Sequence, residues 1–119
     1  MNDEVAEYKL FIDGLVKLRH CVLAQRVREG VWNSEPPPDQ VKYNKLLSDL
    51  TPEQRDLIAE LIQSTRDGGI HDVLVFMTDK KYRLWKGNIQ LALEPFGTEM
   101  YFDFIARRDG RQWPDERDT

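Results

Sequence analysis

One cysteine and two histidines are all that the 119 residues offer as thiolate or imidazole ligands, and they never fall at His-x-x-x-His or Cys-x-x-Cys spacing. A lone Cys21 has no partner for an internal disulfide, which points to a reducing cytoplasm. No apolar run approaches the roughly 18–20 residues that a bilayer-spanning helix needs. The start, Met1-Asn2-Asp3-Glu4, is acidic where a secretory leader would be basic. Positive charge is short as well: 17 Lys and Arg stand against 21 Asp and Glu, a net charge of −4. A phosphate-backbone binder draws affinity from clustered cations in excess, so the sequence predicts no nucleic-acid partner, and no membrane. Glycine is sparse and forms neither a phosphate cradle, nor a dinucleotide fingerprint, nor a Gly-x-Ser-x-Gly elbow. No cofactor is therefore expected.

What is present fits a packed domain under a charged surface: 40 % of residues are hydrophobic and 32 % charged. At this length the expectation is one globular domain over 1–119. From Asp3 to Glu29 the pattern reads as one long helix, with Tyr8, Phe11, Ile12, Leu15, Leu18 and Val22 at three- and four-residue steps. A second stripe, Val16, His20, Leu23 and Val27, lies about 100° round the same helix, so it is apolar over more than one face. Such a rod would reach nearly 40 Å at about 1.5 Å per residue, unless Gly14 bends it.

Gly30 reads as a left-handed cap, and Pro36-Pro37-Pro38 as a stiff connector. A short helix over Asp39–Leu50 would bury Val41, Leu46, Leu47 and Leu50, with Tyr43 at its side. Thr51-Pro52-Glu53-Gln54 has every part of a helix start: a capping hydroxyl, a proline at the first position, an acid, and a glutamine at the box position. The helix it opens is expected over Pro52–Arg66 with Leu57, Ile58, Leu61 and Ile62 inward, stopped by Asp67-Gly68-Gly69.

Residues 70–79 suit either a helical face (Ile70, Val73, Leu74, Met77) or a buried strand. Helix is the reading taken, because the spacing starts directly after the expected stop. A small β turn or hairpin is expected near 84–97, its best strand being Ile89–Leu93. Residues 99–109 again fit either state; a short helix capped by Thr98 and ending at Gly110 is preferred, with Asp103 and Arg107 paired across one turn and Trp113 tucked onto the core. Asp115 to Thr119 should fray. The fold expected is thus mainly α, a long N-terminal helix packed with two to four shorter ones plus the small β element.

Few constellations carry chemistry. His20 and Cys21 are helical neighbours and point about 100° apart, which argues against joint ligation. His71-Asp72 is the dipeptide that names a class of metal-dependent phosphohydrolases, but those sites need further histidines that this chain lacks. Arg107, Arg108 and Arg111 with Trp113 form the densest cationic and aromatic group.

The runs from Gly68 to Leu74, Glu94 to Glu99 and Asp103 to Pro114 resemble a family of small bacterial proteins of unknown function. The resemblance covers the C-terminal half and implies a bacterial, cytoplasmic origin without an activity. By subtraction the sequence points to a non-enzymatic interaction protein of adaptor, antitoxin or immunity type, meeting a protein partner or a second copy of itself. Its candidate interaction residues are Val16, Leu23 and Val27, or Arg107, Arg108 and Trp113. The alternative is a small enzyme or anion-binding protein centred on His71, Asp72, Arg107 and Arg108.

Overall fold

The computed structural model describes residues 3–117. It is mainly helical: α1 (Asp3–Lys17), α2 (Val22–Glu29), α3 (Val41–Asp49), α4 (Pro52–Asp79) and α5 (Met100–Arg108). A two-stranded antiparallel hairpin, β1 (Trp85–Lys86) and β2 (Ile89–Gln90), precedes α5. Single 3-10 turns at Pro38–Gln40 and Pro114–Glu116 complete the elements. None of the described helices is long and apolar enough to cross a membrane. The chain divides into two compact units, one made of Met1–Leu18 and Gly68–Thr119, the other of Arg19–Asp67.

The N-terminal helical segment is not one rod. It breaks between Lys17 and Val22, at Cys21 rather than Gly14, with Cys21 in extended backbone. No proline or glycine lies in the break; side chains from α4 hold it. Arg19 grips Asp67 through two hydrogen bonds of 2.7 and 2.9 Å. The Arg19 carbonyl, left without a helical donor, accepts the Gln63 amide at 2.8 Å. Gln63 also donates to Asp67 at 3.0 Å, so the three residues close a network.

The second large departure is α4, which runs unbroken through Gly68 and Gly69. Neither glycine adopts positive φ, unlike Gly30 and Gly110 at +83°, which do end α2 and α5. A helical glycine costs about 1 kcal/mol relative to alanine. Leu74 is buried just beyond them with Ile70 and Met77 packed alongside, and that burial outweighs the cost. The start of α4 is as the sequence predicts: the Thr51 hydroxyl accepts the Gln54 N–H at 3.1 Å and the Gln54 side chain accepts the Thr51 N–H at 2.9 Å.

On α4 the expected facing holds for Ile58 and Ile62, which are half-buried against the core of the Arg19–Asp67 unit, but not for Leu57 and Leu61. The inward residues step by four, Arg55, Ala59, Gln63 and Asp67, with Ala59 fully buried. Leu57 and Leu61, two positions away and so on the opposite side, are 61 % and 67 % exposed. On α3 only Leu47 is buried, while Val41 and Leu46 face outward.

The first unit has a core of bulky side chains: Tyr8 and Ile12 from α1, Leu74 from α4, Met100 and Phe104 from α5, and Trp113. Trp113 tucks in as the sequence predicts. The hairpin pairs Trp85 with Gln90 and Lys86 with Ile89, and the Leu91 N–H extends it to the Leu84 carbonyl at 2.9 Å; the strand expected over 89–93 is shorter than predicted. Residues 70–79 and 100–108 are helical. Pro114–Glu116 is ordered into a turn rather than frayed, while Met1, Asn2, Asp118 and Thr119 lie outside the described residues.

A Cβ built on Gly68 or Gly69 meets nothing within 4 Å. Gly68→Ala and Gly69→Ala are therefore expected to stabilise the protein by about 0.5–1 kcal/mol each, whereas Gly110→Ala, forced into the left-handed region, should destabilise it by about 1 kcal/mol or more. Urea unfolding measures all three; a loss of stability in both α4 variants would mean that the helix does not pass through.

Candidate functional site

In the Arg19–Asp67 unit the buried set is small: Cys21, Ala24, Val27, Leu47 and Ala59. The larger apolar side chains stand around an open cleft of about 300 Å3. Its walls are Val27 from α2, Trp32 from the connector, Tyr43, Leu46 and Leu47 from α3, and Ile58 and Ile62 from α4. No charged side chain lines it.

Local chemistry sets each wall. Asn44 pins the connector to α3: its side-chain oxygen accepts the Trp32 and Asn33 N–H groups at 2.7 and 3.2 Å, and its amide donates to the Asn33 carbonyl at 2.6 Å. Trp32 is thereby held edge-on to Tyr43, with ring centroids 5.4 Å apart. Arg55 ties the ends of two helices, donating to the carbonyls of Arg28 at 3.3 Å and Leu50 at 3.0 Å, where the helix dipoles favour a cation. Sequence reasoning passed over Asn44 and Arg55. The one signal for either is a polar residue inside an apolar spacing.

In the other unit two polar groups lie between α1 and α5. Buried Asp103 accepts hydrogen bonds from the Tyr8 hydroxyl and, at 2.5 Å, from the Thr98 hydroxyl. Thr98 is thus spent on Asp103 and does not cap α5. Next to this group, Arg107 forms a bidentate pair with Asp13 of α1 at 2.8 and 3.2 Å. Its guanidinium also covers the Trp113 ring at 4.8 Å. The Asp103–Arg107 pair expected from helical spacing does not form, because each residue finds its partner on or beside α1 instead. A cavity of about 360 Å3 opens here, lined among others by Thr98, Asp103, Arg107 and Trp113.

The stripe Val16, Leu23, Val27 is divided by the break: Val16 packs against the core of the first unit, Leu23 is exposed, and Val27 is buried at the edge of the apolar cleft. Arg107 and Trp113 come together; Arg108 instead pairs with its neighbour Asp109 at 3.1 Å. His71 lies edge-on to Tyr101 and 3.5 Å from the exposed Asp72 carboxylate. Of the four residues of the enzyme reading, Arg107 lines this cavity and His71, Asp72 and Arg108 do not. Cys21 is buried and His20 exposed. Among the described residues no three His, Cys, Asp or Glu side chains gather as a metal site would require.

Burial, then the hydrogen bond to Asp103, pushes the Tyr8 hydroxyl well above its ordinary value of 10.0. A raised folded-state value stabilises the fold fully below about pH 10, and the contribution is lost as pH rises and unfolded Tyr8 ionises. Stability should therefore fall with pH above about 10, and Tyr8→Phe should flatten that slope while lowering stability at neutral pH by about 1 kcal/mol. Urea unfolding across pH 8–11 checks it; parallel slopes in the two proteins would contradict the assignment.

No match was found among curated proteins or among solved structures. A family model does match, over residues 1–115, so the likeness expected for the C-terminal half takes in nearly the whole sequence. The chain belongs to this family of unknown function, DUF6547.

Proposed function

We propose that the protein is a non-enzymatic interaction domain that receives a bulky apolar side chain of a protein partner in the cleft of its Arg19–Asp67 unit. One observation carries this reading: the unit buries little but small residues, Cys21, Ala24, Val27 and Ala59 with Leu47, while Trp32, Tyr43, Leu46, Ile58 and Ile62 ring an opening that contains no charge. Apolar side chains that pack on a thin core and still line a concave opening are what a partner's anchor needs. Val22, Leu23, Val31, Leu57 and Leu61 are also exposed on the same unit. The free, buried Cys21 suits a reducing cytoplasm, which supports that location. An adaptor, antitoxin or immunity protein works through such a surface, whether its partner is another protein or a second copy of the chain.

Leu46 lines the cleft yet is 56 % exposed, so a charge there weakens binding without unfolding the chain. Wild type is expected either to self-associate in sedimentation or to retain a protein that can be purified and recombined with it. Leu46→Glu, with an unchanged melting temperature, should weaken that association at least about tenfold, or about 1.4 kcal/mol. Equal binding by the variant, or no association by wild type alone or with any candidate, would sink the reading.

A further inference from the structure

The cavity beside Arg107 has a composition at odds with the acidic chain around it. Three arginines line it, Arg107, Arg111 and Arg117, against one carboxylate, Asp103. The Arg107 charge is already met by Asp13, and the Arg107 guanidinium also donates to the Arg111 carbonyl at 2.9 Å, which holds the Arg111 backbone at the rim. The guanidinium groups of Arg111 and Arg117 form no ion pair among the described residues, and both residues are exposed. Asp103 is buried, and its two oxygens accept from the neutral hydroxyls of Tyr8 and Thr98, so its acceptors are taken up from the protein side. The side chain of Gln112 adds an amide to the lining.

Aromatic side chains complete the lining. Phe96 and Trp113 lie 5.4 Å apart between centroids with planes 34° apart, and the exposed Phe102 joins them. A volume of about 360 Å3 falls in the range that holds a small organic ligand rather than a bare ion. Arginine forks match the geometry of carboxylate and phosphate oxygens, and ring faces take a planar body.

We propose that this cavity binds a small organic anion, a planar apolar body bearing a carboxylate or a phosphate monoester, with the oxyanion at Arg111 and Arg117 and the body against Phe96 and the exposed Phe102, beside Trp113. The site is separate from the apolar cleft, and neither reading depends on the other.

The test is an NMR titration of the full chain that follows the Trp113 indole N–H, assigned by its loss in Trp113→Phe, with benzoate, phenylphosphate and benzyl alcohol as probes. At least one of the two anions is expected to shift that signal saturably, the tighter one identifying the oxyanion, while benzyl alcohol binds at least about tenfold more weakly. Arg111→Gln with Arg117→Gln, both at exposed positions, should weaken the anion at least about tenfold with an unchanged melting temperature. No saturable shift by either anion up to about 10 mM, equal affinity for benzyl alcohol, or equal binding by the double variant would overturn the proposal.

Discussion

The two ends of the Arg19–Asp67 unit are joined by a single bidentate ion pair, and much of the architecture of that unit follows from it. The pair is mostly out of water, the side chains being 27 % and 10 % exposed. Removing one partner of such a pair costs far more than a surface ion pair gives, because the other charge is stranded. Gln63 completes it by bonding to both the Asp67 carboxylate and the Arg19 carbonyl. A helix normally breaks at proline or glycine. Here the Arg19 carbonyl at the break is satisfied by a glutamine and the chain is anchored by an arginine, so the break needs neither.

That clasp explains how a unit with so small a core stays folded. Cysteine, alanine and valine side chains each remove little surface from water, and burial of roughly 25 cal/mol per Å2 leaves such a core thin. Polar ties take over: the Asn44 bonds to the connector, the reach of Arg55 to two helix ends, and the Thr51–Gln54 box. The other unit is built the opposite way, around Tyr8, Phe104, Ile12, Leu74 and Trp113, and uses polar groups mainly to fix α5 against α1. A unit that leaves Trp32, Leu46 and Ile62 around an opening has apolar surface to share.

What could be read from the sequence was whatever is decided within one turn of chain. The box at Thr51, the stops at Gly30 and Gly110, the hairpin near residue 87 and the mainly helical fold are all local, and they match the structure. The errors arose where distant groups outvote local ones. Gly68-Gly69 carries a stop signal, but burial of Leu74 keeps the helix going. Leu57 and Leu61 have ideal inward spacing, yet the face of α4 is set by Ala59 and Asp67, whose partner is 48 positions away. Helical spacing pairs Asp103 with Arg107, but Tyr8 and Asp13 on α1 claim them, 95 and 94 positions away. Of the candidate site residues, Val27, Arg107 and Trp113 line openings; the neighbours that shape those openings, Asn44, Arg55 and Asp13, carry no motif.

Native-state hydrogen exchange measures the contrast between the two units directly, since it gives an opening free energy for each amide. If the Arg19–Asp67 unit rests on a polar clasp around a thin core, the most protected amides of α2 and α3 should open at a lower free energy than those of α1 and α5, by about 1 kcal/mol or more. Equal protection in all four helices, reaching the global unfolding free energy, would contradict it.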